Sequence, residues 1–406
     1  MTMASFPAEP GMKSASLAVA IVFTAYVAVV FGLGLYLFSL LAGEMKQTLG
    51  FGTGTIGTVT AAAQISFLIA AILCPRLSRR FGDAPVIIFA VLAAGAILAA
   101  VSAVGSAAIM TLWIGALGGC AALMIIPTVS VIARTVPLHQ RSRVNGLISS
   151  GTAYGQFVAG WTAPLLVLDH GWRSVWLVLG IASVVVAIAG YMALKSLAPA
   201  ALAREAEVTP RTDGSQTPLI SRTNLLLWAL LAASGMACGP WQNYLSTFLG
   251  EERGRSITFI GRLWSIVGFL GLFSGFTIGF LADRIGIRRA LGLSFGLLAL
   301  SALLVALPRE PMALYVAALC FSLSFFAIYG LISAYISKSV AEDQVTRVFA
   351  GANICLGLGT AFGNLNAGYI IPGLTGSLVQ VYFCIAIIAG LSAAAVALLP
   401  KEPGSL

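Results

Sequence analysis

Twelve apolar runs, each long enough to cross a membrane as a helix, constrain this chain more than any other feature. A spanning helix needs about 20 predominantly apolar residues. Only 9% of the 406 residues are charged, against roughly 25% in soluble domains, so lipid must be the main solvent. The sequence therefore predicts an all-α membrane protein with transmembrane helices at 16–42, 53–74, 85–104, 108–134, 144–166, 173–195, 223–249, 256–281, 290–307, 312–337, 347–371 and 376–399.

One long hydrophilic stretch, 196–222, separates the first six runs from the last six. We interpret it as a cytoplasmic linker between two pseudo-symmetric six-helix bundles, 1–195 and 223–406. Every other loop is short, which leaves no room for an extramembrane catalytic domain, so we do not expect an enzyme. The cysteines lack CxxC spacing and the histidines lie in loops, so we expect neither a metal site nor a cofactor.

The basic residues predict the orientation. If both termini are cytoplasmic, most of the 23 Lys and Arg residues fall in cytoplasmic segments, as the positive-inside rule requires. This topology accounts for the net charge of +9 without a nucleic-acid partner. We expect a multi-pass protein of the cell inner membrane, and a monomer.

A short charged motif occurs at the same place in each half. The copy that begins at Gly279 reads GFLADRIGIRR, and the copy that begins at Pro75 reads PRLSRRFGD. The second-half copy resembles the signature G-x-L-A-D-R-x-G-R-R of the major facilitator superfamily. The first-half copy departs from it, with Pro75 in place of Gly, Arg79 in place of Asp, and Asp83 in place of a base.

The resemblance implies the major facilitator fold and transport by alternating access. A carboxylate at a helix end can bond neighbouring helix N-termini and arginines, and we expect such a latch on the cytoplasmic side. The alternative is a generic stop-transfer cluster of charges at a helix end. The candidate gating residues are Arg79, Arg80, Asp83, Asp283, Arg284 and Arg288.

Two further segments narrow the resemblance. The sequence GWR at 171–173 is similar to one found before helix 6 in this superfamily, and 133–146 weakly resembles the monocarboxylate-carrier-like branch. That branch carries monocarboxylates and, in some members, neutral compounds such as riboflavin. Its frequent helix-8 Arg is missing from 273–277, and the Gly-Pro of drug antiporters is missing from 151–156.

Charge inside the predicted helices is scarce. Charged residues inside a membrane are usually functional, so the positions of the acids matter. All fourteen acids lie outside the helix centres, and we therefore do not expect a proton relay of buried carboxylates. Proton coupling through the substrate's own proton or through Glu44 or Asp83, and facilitated diffusion, all remain open. Arg262, about two turns into the eighth helix, anchors an anionic or carbonyl-rich substrate or else extends to the membrane interface.

Neutral polar and aromatic residues are the remaining candidates for a binding site. Gly239-Pro240 in the seventh helix and Gly32 and Gly34 in the first predict corresponding interruptions. Trp241 is placed to stack on a planar substrate, unless it belongs to an interfacial aromatic belt. The other candidates, for which interhelical hydrogen bonding is the alternative, are Tyr36, Gln64, Tyr154, Gln156, Gln242, Asn243, Tyr329 and Asn353.

These observations lead to one functional hypothesis with two alternatives. We expect a secondary or facilitative transporter that takes up a small organic solute, either a monocarboxylate or a vitamin-like heterocycle such as riboflavin. The site would lie between helices 1, 4, 7 and 10, and protons are an open partner. No nucleotide-binding loop occurs in the sequence, so ATP is not the expected energy source. The alternatives are a metabolite or drug efflux carrier and, more remotely, a non-transporting membrane receptor.

Overall fold

The computed structural model describes residues 14–203, 221–307, 310–340 and 344–400, and every regular element in these ranges is helical. We number the spanning helices in chain order. They are α1 (Ser14–Leu49), α2 (Thr53–Phe81), α3 (Asp83–Val101), α4 (Ala107–Thr135), α5 (Gly151–His170), α6 (Trp172–Leu197), α7 (Arg222–Glu252), α8 (Ile257–Ile285), α9 (Ile287–Ala306), α10 (Pro311–Ser339), α11 (Val345–Leu365, continued by Asn366–Ile370 and Ile371–Thr375) and α12 (Val379–Leu398).

Eleven helices in the described part of the chain are long and apolar enough to cross a membrane. The remaining spanning helix, α5, has 20 residues but carries Tyr154, Gln156 and Thr162 along its length. It follows a short helix, Leu138–Ser149, from which a turn at Ser150 separates it. The fold is therefore the predicted all-α arrangement of twelve spanning helices, although the fifth helix is shifted from the predicted 144–166.

Several helices extend beyond the apolar runs that predicted them. Helix α1 continues through Glu44 and Lys46, and α2 continues over Pro75, Arg79 and Arg80. Hydropathy detects only the part of a helix that lipid covers, whereas polar and basic side chains continue the same helix into water. The motif expected to form a loop is thus mostly helical.

The same tight turn follows α2 and α8. A single glycine separates the helices there: Gly82 between α2 and α3, and Gly286 between α8 and α9. Their φ angles are +89° and +87°, values that residues with a Cβ rarely adopt. The repeated motif therefore encodes the same backbone turn in both halves, despite the different charges around it.

The packing of α1–α6 recurs in α7–α12. The contacts α2–α4, α3–α6 and α3–α4 correspond to α8–α10, α9–α12 and α9–α10. The boundaries of the halves at 195 and 223 stay predictions, and the linker residues 204–220 lie outside the described part of the chain.

Glycines allow the closest helix approaches within each half. A Cβ on Gly155 of α5 would lie 2.6 Å from Cα of Gly32 in α1, and one on Gly359 of α11 would lie 2.2 Å from the carbonyl oxygen of Ala232 in α7. Small residues permit such backbone approach in membranes. Gly151 and Gly363, which complete the GxxxG spacing with Gly155 and Gly359, also lie at helix contacts.

The first and seventh helices are interrupted differently. Helix α1 changes to π-helical geometry over Ala28–Leu33 and then turns at 34–36, as Gly32 and Gly34 predicted. Helix α7 is not broken at Gly239-Pro240: the α-helical geometry runs through Pro240 to Thr247, and the π-helical segment Phe248–Glu252 ends the span. The expected interruption at Pro240 was wrong, because a helix accommodates the loss of one N–H when neighbouring helices support it.

Candidate functional site

Polar contacts join the two halves at one end of the molecule, which we call the closed end. The Nζ atom of Lys46 in α1 lies 2.7 Å from Oε2 of Glu251 in α7, and it also donates to Oγ1 of Thr53 at 3.1 Å. The hydroxyl oxygens of Thr58 in α2 and Tyr369 in α11 are 2.7 Å apart. These contacts tie α1 to α7 and α2 to α11.

A buried hydrogen-bond network lies below the closed end. The Oγ of Ser39 donates to Oδ1 of Asn243 at 2.5 Å, and Nδ2 of Asn243 donates to Oδ1 of Asn364 at 3.0 Å. The hydroxyl of Tyr244 donates to the carbonyl oxygen of Asn364 at 2.8 Å. Asn243, a predicted substrate ligand, therefore links α1, α7 and α11 in this conformation.

The halves separate toward the opposite end, where α2 meets α3 and α8 meets α9. Gly261 and Gly268 lie on the face of α8 that packs on α5, and a Cβ on Gly268 would lie 2.4 Å from the backbone nitrogen of Phe157. Gly275 and Gly279 continue this face by helical spacing, yet a Cβ on either would meet no atom within 4 Å. Helices α5 and α8 thus diverge beyond Gly268.

Helix α10 also becomes accessible toward the opposite end. Phe321 has 0% exposure, Phe325 one turn later is partly exposed, and Tyr329 after one more turn reaches 40%. Residues at this spacing share one face of a helix. The face therefore passes from the packed interior into solvent-accessible or lipid-accessible space.

Parallel aromatic rings line the interior between α7, α10 and α1. The rings of Trp241 and Phe321 are stacked, with centroids 3.6 Å apart and an interplanar angle of 5°. Phe321 stacks in turn on Phe325 at 5.2 Å, and the edge of Tyr36 meets Phe325 at 6.2 Å. Phe321 thus occupies one face of Trp241, the residue predicted to stack on a planar substrate.

Two glutamines are buried without any hydrogen-bond partner among the described residues. Gln156 in α5 has 0% exposure and Gln242 in α7 has 2%. The amide oxygen and nitrogen of both side chains lack a partner. We call Gln156 and Gln242 the amide pair, and they are the predicted site residues with the largest unused hydrogen-bonding capacity.

Two predicted ligands lie on exposed helix faces. Tyr154 shares a face of α5 with Val158 and Trp161, all of which are exposed. Arg262 is exposed on α8, on the face that continues through Phe269 and Phe276. The structure does not bring these two side chains to the amide pair, and for Arg262 the position matches extension to the membrane interface.

The remaining predicted ligands lie away from the aromatic rings or pair with each other. Gln64 is half-buried on α2. The hydroxyl of Tyr329 in α10 donates to Oδ1 of Asn353 in α11 at 3.1 Å, and Nδ2 of Asn353 donates to the carbonyl oxygen of Phe349. This pair lies on the side of Phe325 that faces the opposite end.

Three predicted gating residues, Asp83, Arg284 and Arg288, make contacts within their own half. Oδ2 of the buried Asp83 lies 2.9 Å from Nη1 of the partly buried Arg134, so this pair joins the start of α3 to the end of α4. In the second half, the guanidinium of Arg284 lies over the ring of Phe280, and Nη1 of Arg288 donates to the carbonyl oxygen of Leu399 at 3.0 Å.

The other gating candidates are surface residues at the opposite end. Arg79 and Arg80 are exposed near the end of α2, and Arg80 lies over the ring of Phe81. Asp283 is exposed and has no ion pair among the described residues. In this conformation, these contacts of Asp83, Arg284 and Arg288 hold each half together and do not join the two halves.

The charged pair that joins the halves was missed in the sequence. Lys46 and Glu251 are opposite charges at the ends of corresponding helices, α1 and α7, and this correspondence was the available signal. The glycines of α8 at positions 261, 268, 275 and 279 were a second signal, because their spacing marks one helix face.

Comparison with known families decides the identity of this fold. Residues 22–364 and 244–405 match the model of the Major Facilitator Superfamily. The chain belongs to the Major Facilitator Superfamily. Proteins of this superfamily are transporters and not enzymes, so the chain is a multi-pass membrane transporter.

Sequence relatives within the superfamily differ in what they carry. The chain is 24% identical to the multi-drug resistance efflux pump PmrA of Streptococcus pneumoniae over 340 residues, which cover 81% of the chain and 83% of the pump. It is 25% identical to the cis,cis-muconate transport protein of Acinetobacter baylyi over 256 residues, which cover 60% and 61%.

Solved transporter structures share the fold. A bacterial homologue of the lysosomal transporter Spinster, in an inward-facing and occupied conformation, superimposes with a TM-score of 0.75 at 16% identity, covering 95% of this chain and 96% of the other. A D-xylose–proton symporter superimposes with a TM-score of 0.74 at 14% identity, covering 95% and 98%. At such identities the similarity establishes the fold alone.

Proposed function

We propose that this transporter carries a small organic solute by alternating access, through a site between its two halves. The observation that carries the proposal is the contrast along α8, where Gly268 packs against α5 and Gly275 meets nothing. A protein whose halves touch at one end and separate at the other is arranged to expose a central site to one side at a time. The aromatic rings and the amide pair supply the site.

The sidedness follows from the basic residues. The opposite end carries Arg76, Arg79, Arg284 and Arg289, and the positive-inside rule places such clusters in the cytoplasm. The described conformation is then open to the cytoplasm and closed to the outside, with both termini cytoplasmic. In the return step the ion pair of Lys46 and Glu251 must separate.

The charge distribution favours movement down a gradient. Among the described acids, Asp83, Asp169, Asp283 and Glu251 lie at helix ends, and Glu44 lies near the end of α1. A protein group that binds a coupling proton at the centre of a transporter is usually an intramembrane carboxylate or histidine. Since the described residues place no acid at a helix centre, we expect the carrier to equilibrate its solute, which supports net uptake of a compound that the cell consumes.

Uptake by whole cells tests the transport proposal. Cells that express the chain are given labelled monocarboxylates, riboflavin and neutral heterocycles, with and without a protonophore. We expect uptake of at least one uncharged compound, insensitive to the protonophore. Uptake that collapses with the protonophore contradicts facilitated transport.

Efflux is the second candidate function, and the 24% identity to PmrA favours it. Everted vesicles distinguish the two functions, because an exporter loads them with solute against a gradient when energy is supplied. Energy-dependent accumulation in everted vesicles, with no uptake into whole cells, would establish efflux.

A further inference from the structure

We infer that the amide pair, Gln156 and Gln242, is a binding site for an uncharged solute that presents a hydrogen-bond donor and acceptor side by side. The solute class comprises carboxamides, lactams, imides and ureido compounds. The inference rests on the proposed transport function, since it names the solute class of the same central site.

Both glutamines lie where their helices pass between α1 and α8. On α5, Gly155 meets Gly32 of α1, and the backbone of Phe157 meets Gly268 of α8, so Gln156 lies between these two contacts. It also marks the level where α5 and α8 begin to diverge.

Gln242 lies on α7 close to residues that contact α1 and α8. Its neighbour Asn243 bonds to Ser39 of α1, and Ser246, one turn further along, accepts a hydrogen bond from Trp264 of α8 at 3.0 Å. At Gln242, α7 therefore also lies alongside α1 and α8, as α5 does at Gln156 in the other half. The ring of Trp241 directly precedes it in sequence.

The burial of these amides is costly unless a solute compensates for it. A polar group taken out of water without a partner loses its hydrogen bonds to solvent. The neighbouring Asn243 does not lack hydrogen-bond partners in this way, because its side-chain oxygen and nitrogen both bond in the network below the closed end. Among the predicted site glutamines and asparagines in the described part of the chain, only the amide pair has both side-chain polar atoms of each residue buried and unpartnered.

The chemistry of a primary amide defines the complementary solute. A glutamine side chain offers an acceptor oxygen and two N–H donors in one plane. It pairs best with a planar group that presents one donor and one acceptor on the same edge. Two glutamines, one from each half, can hold two such edges and close around the solute as the halves move.

Charged solutes are disfavoured for the same reason. An anion or cation moved into this interior loses its hydration, and an uncharged amide does not repay that loss. Arg262, the cation that the sequence predicted as a substrate ligand, is exposed on α8. A weak acid would therefore cross in its protonated form.

Binding to the purified full-length chain in detergent tests the inference. The probes are uracil and nicotinamide, with orotate and nicotinate as their charged counterparts, and the measurement is the shift of the thermal unfolding midpoint with probe concentration. We expect a neutral probe to bind at least about tenfold more tightly than its charged counterpart. Equal or tighter binding of the carboxylates, or no binding of either neutral probe, overturns the inference.

Leucine substitutions separate binding from packing. Gln156→Leu and Gln242→Leu remove unpartnered polar atoms at nearly constant size, so each should raise the unfolding midpoint without probe and weaken neutral-probe binding at least about tenfold. Gln47→Leu makes the same change at an exposed position of α1 and should alter neither. A lowered midpoint in either central variant shows that the amides are structural and overturns the inference.

The outcomes distinguish this inference from the transport proposal. If cells take up other solutes while the neutral probes fail to bind, the transport proposal is supported and the binding role of the amide pair is contradicted. If the probes bind through the amide pair while neither whole cells nor everted vesicles transport any compound, the binding role of the amide pair is supported and the transport proposal is contradicted.

Discussion

Two regions of helix α8 make opposite use of the same kind of residue. Toward the closed end, Gly261 and Gly268 let α5 approach so closely that a Cβ would collide with Pro164 or with the backbone of Phe157. Toward the opposite end, Gly275 and Gly279 continue the face into open space. Glycine inside a helix lowers the stability of the helix. Gly275 and Gly279 therefore indicate a role in a conformation other than this one.

The comparison indicates that one smooth face serves two states. In this state, the part near Gly268 is packed and the part near Gly275 is free. If the halves rock about the centre, α5 packs against Gly275 and Gly279 instead, and the contacts near Gly268 are released. The polar contacts agree, because Lys46 and Glu251 cross between halves at the packed end, whereas Asp83 and Arg134 pair within one half at the free end.

The largest expected effect concerns rigidity within a half. Asp83→Asn removes the charge that balances the largely buried Arg134, which should cost about 3 kcal/mol of unfolding free energy. Thermal unfolding in detergent measures it. Asp283→Asn, at the exposed end of α8, is the matched control and should leave the unfolding midpoint unchanged. An equal decrease of the midpoint in both variants would contradict the stabilising role of Asp83 within its half.

The next effect concerns the packed region of α8. Gly268→Ala places a methyl group 2.4 Å from the backbone nitrogen of Phe157, so the helices must move apart at a cost of about 1–3 kcal/mol. We expect a lower unfolding midpoint and greater labelling of closed-end residues by a membrane-impermeant thiol reagent at an introduced cysteine. An unchanged midpoint would show that the contact is not tight.

The same substitution in the free region should have the opposite sign. Gly275→Ala meets no atom within 4 Å and removes the flexibility of a helical glycine, which should stabilise this state by about 1 kcal/mol. Transport should nevertheless slow, because the methyl group obstructs packing in the other state. Faster or unchanged transport would indicate that α5 never packs on Gly275.

The smallest expected effect is at the closed-end ion pair. Lys46 and Glu251 are partly exposed, and such pairs contribute about 0.2–1 kcal/mol. Lys46→Met should shift the two-state balance modestly toward the outward-open form, and Glu251→Gln should do the same. The double variant should add little to either single one, whereas additive effects would show that the two residues act independently.

Much of this architecture follows from the sequence, because lipid imposes a simple rule on helix length. The runs of apolar residues predicted the spans, and repeated Gly82 and Gly286 turns reflect the repeated motif. Helix ends beyond the membrane, as in α1 past Glu44, escaped prediction because hydropathy falls while the helix continues. The site residues were harder to predict from the sequence. Gln156 and Tyr154 are only two residues apart, yet Gln156 lies on a buried face of α5 and Tyr154 on an exposed one.

Distances between the two halves, measured at both ends of the molecule, are the most direct test of alternating access. Spin labels on Gln47 and Leu374 report on the closed end, and labels on Arg76 and Arg289 report on the opposite end; all four positions are exposed. In liposomes, alternating access predicts two distances for each pair with complementary populations, and Glu251→Gln should lengthen the first distance while it shortens the second. A single fixed distance at both ends, or two ends that widen together, would contradict alternating access.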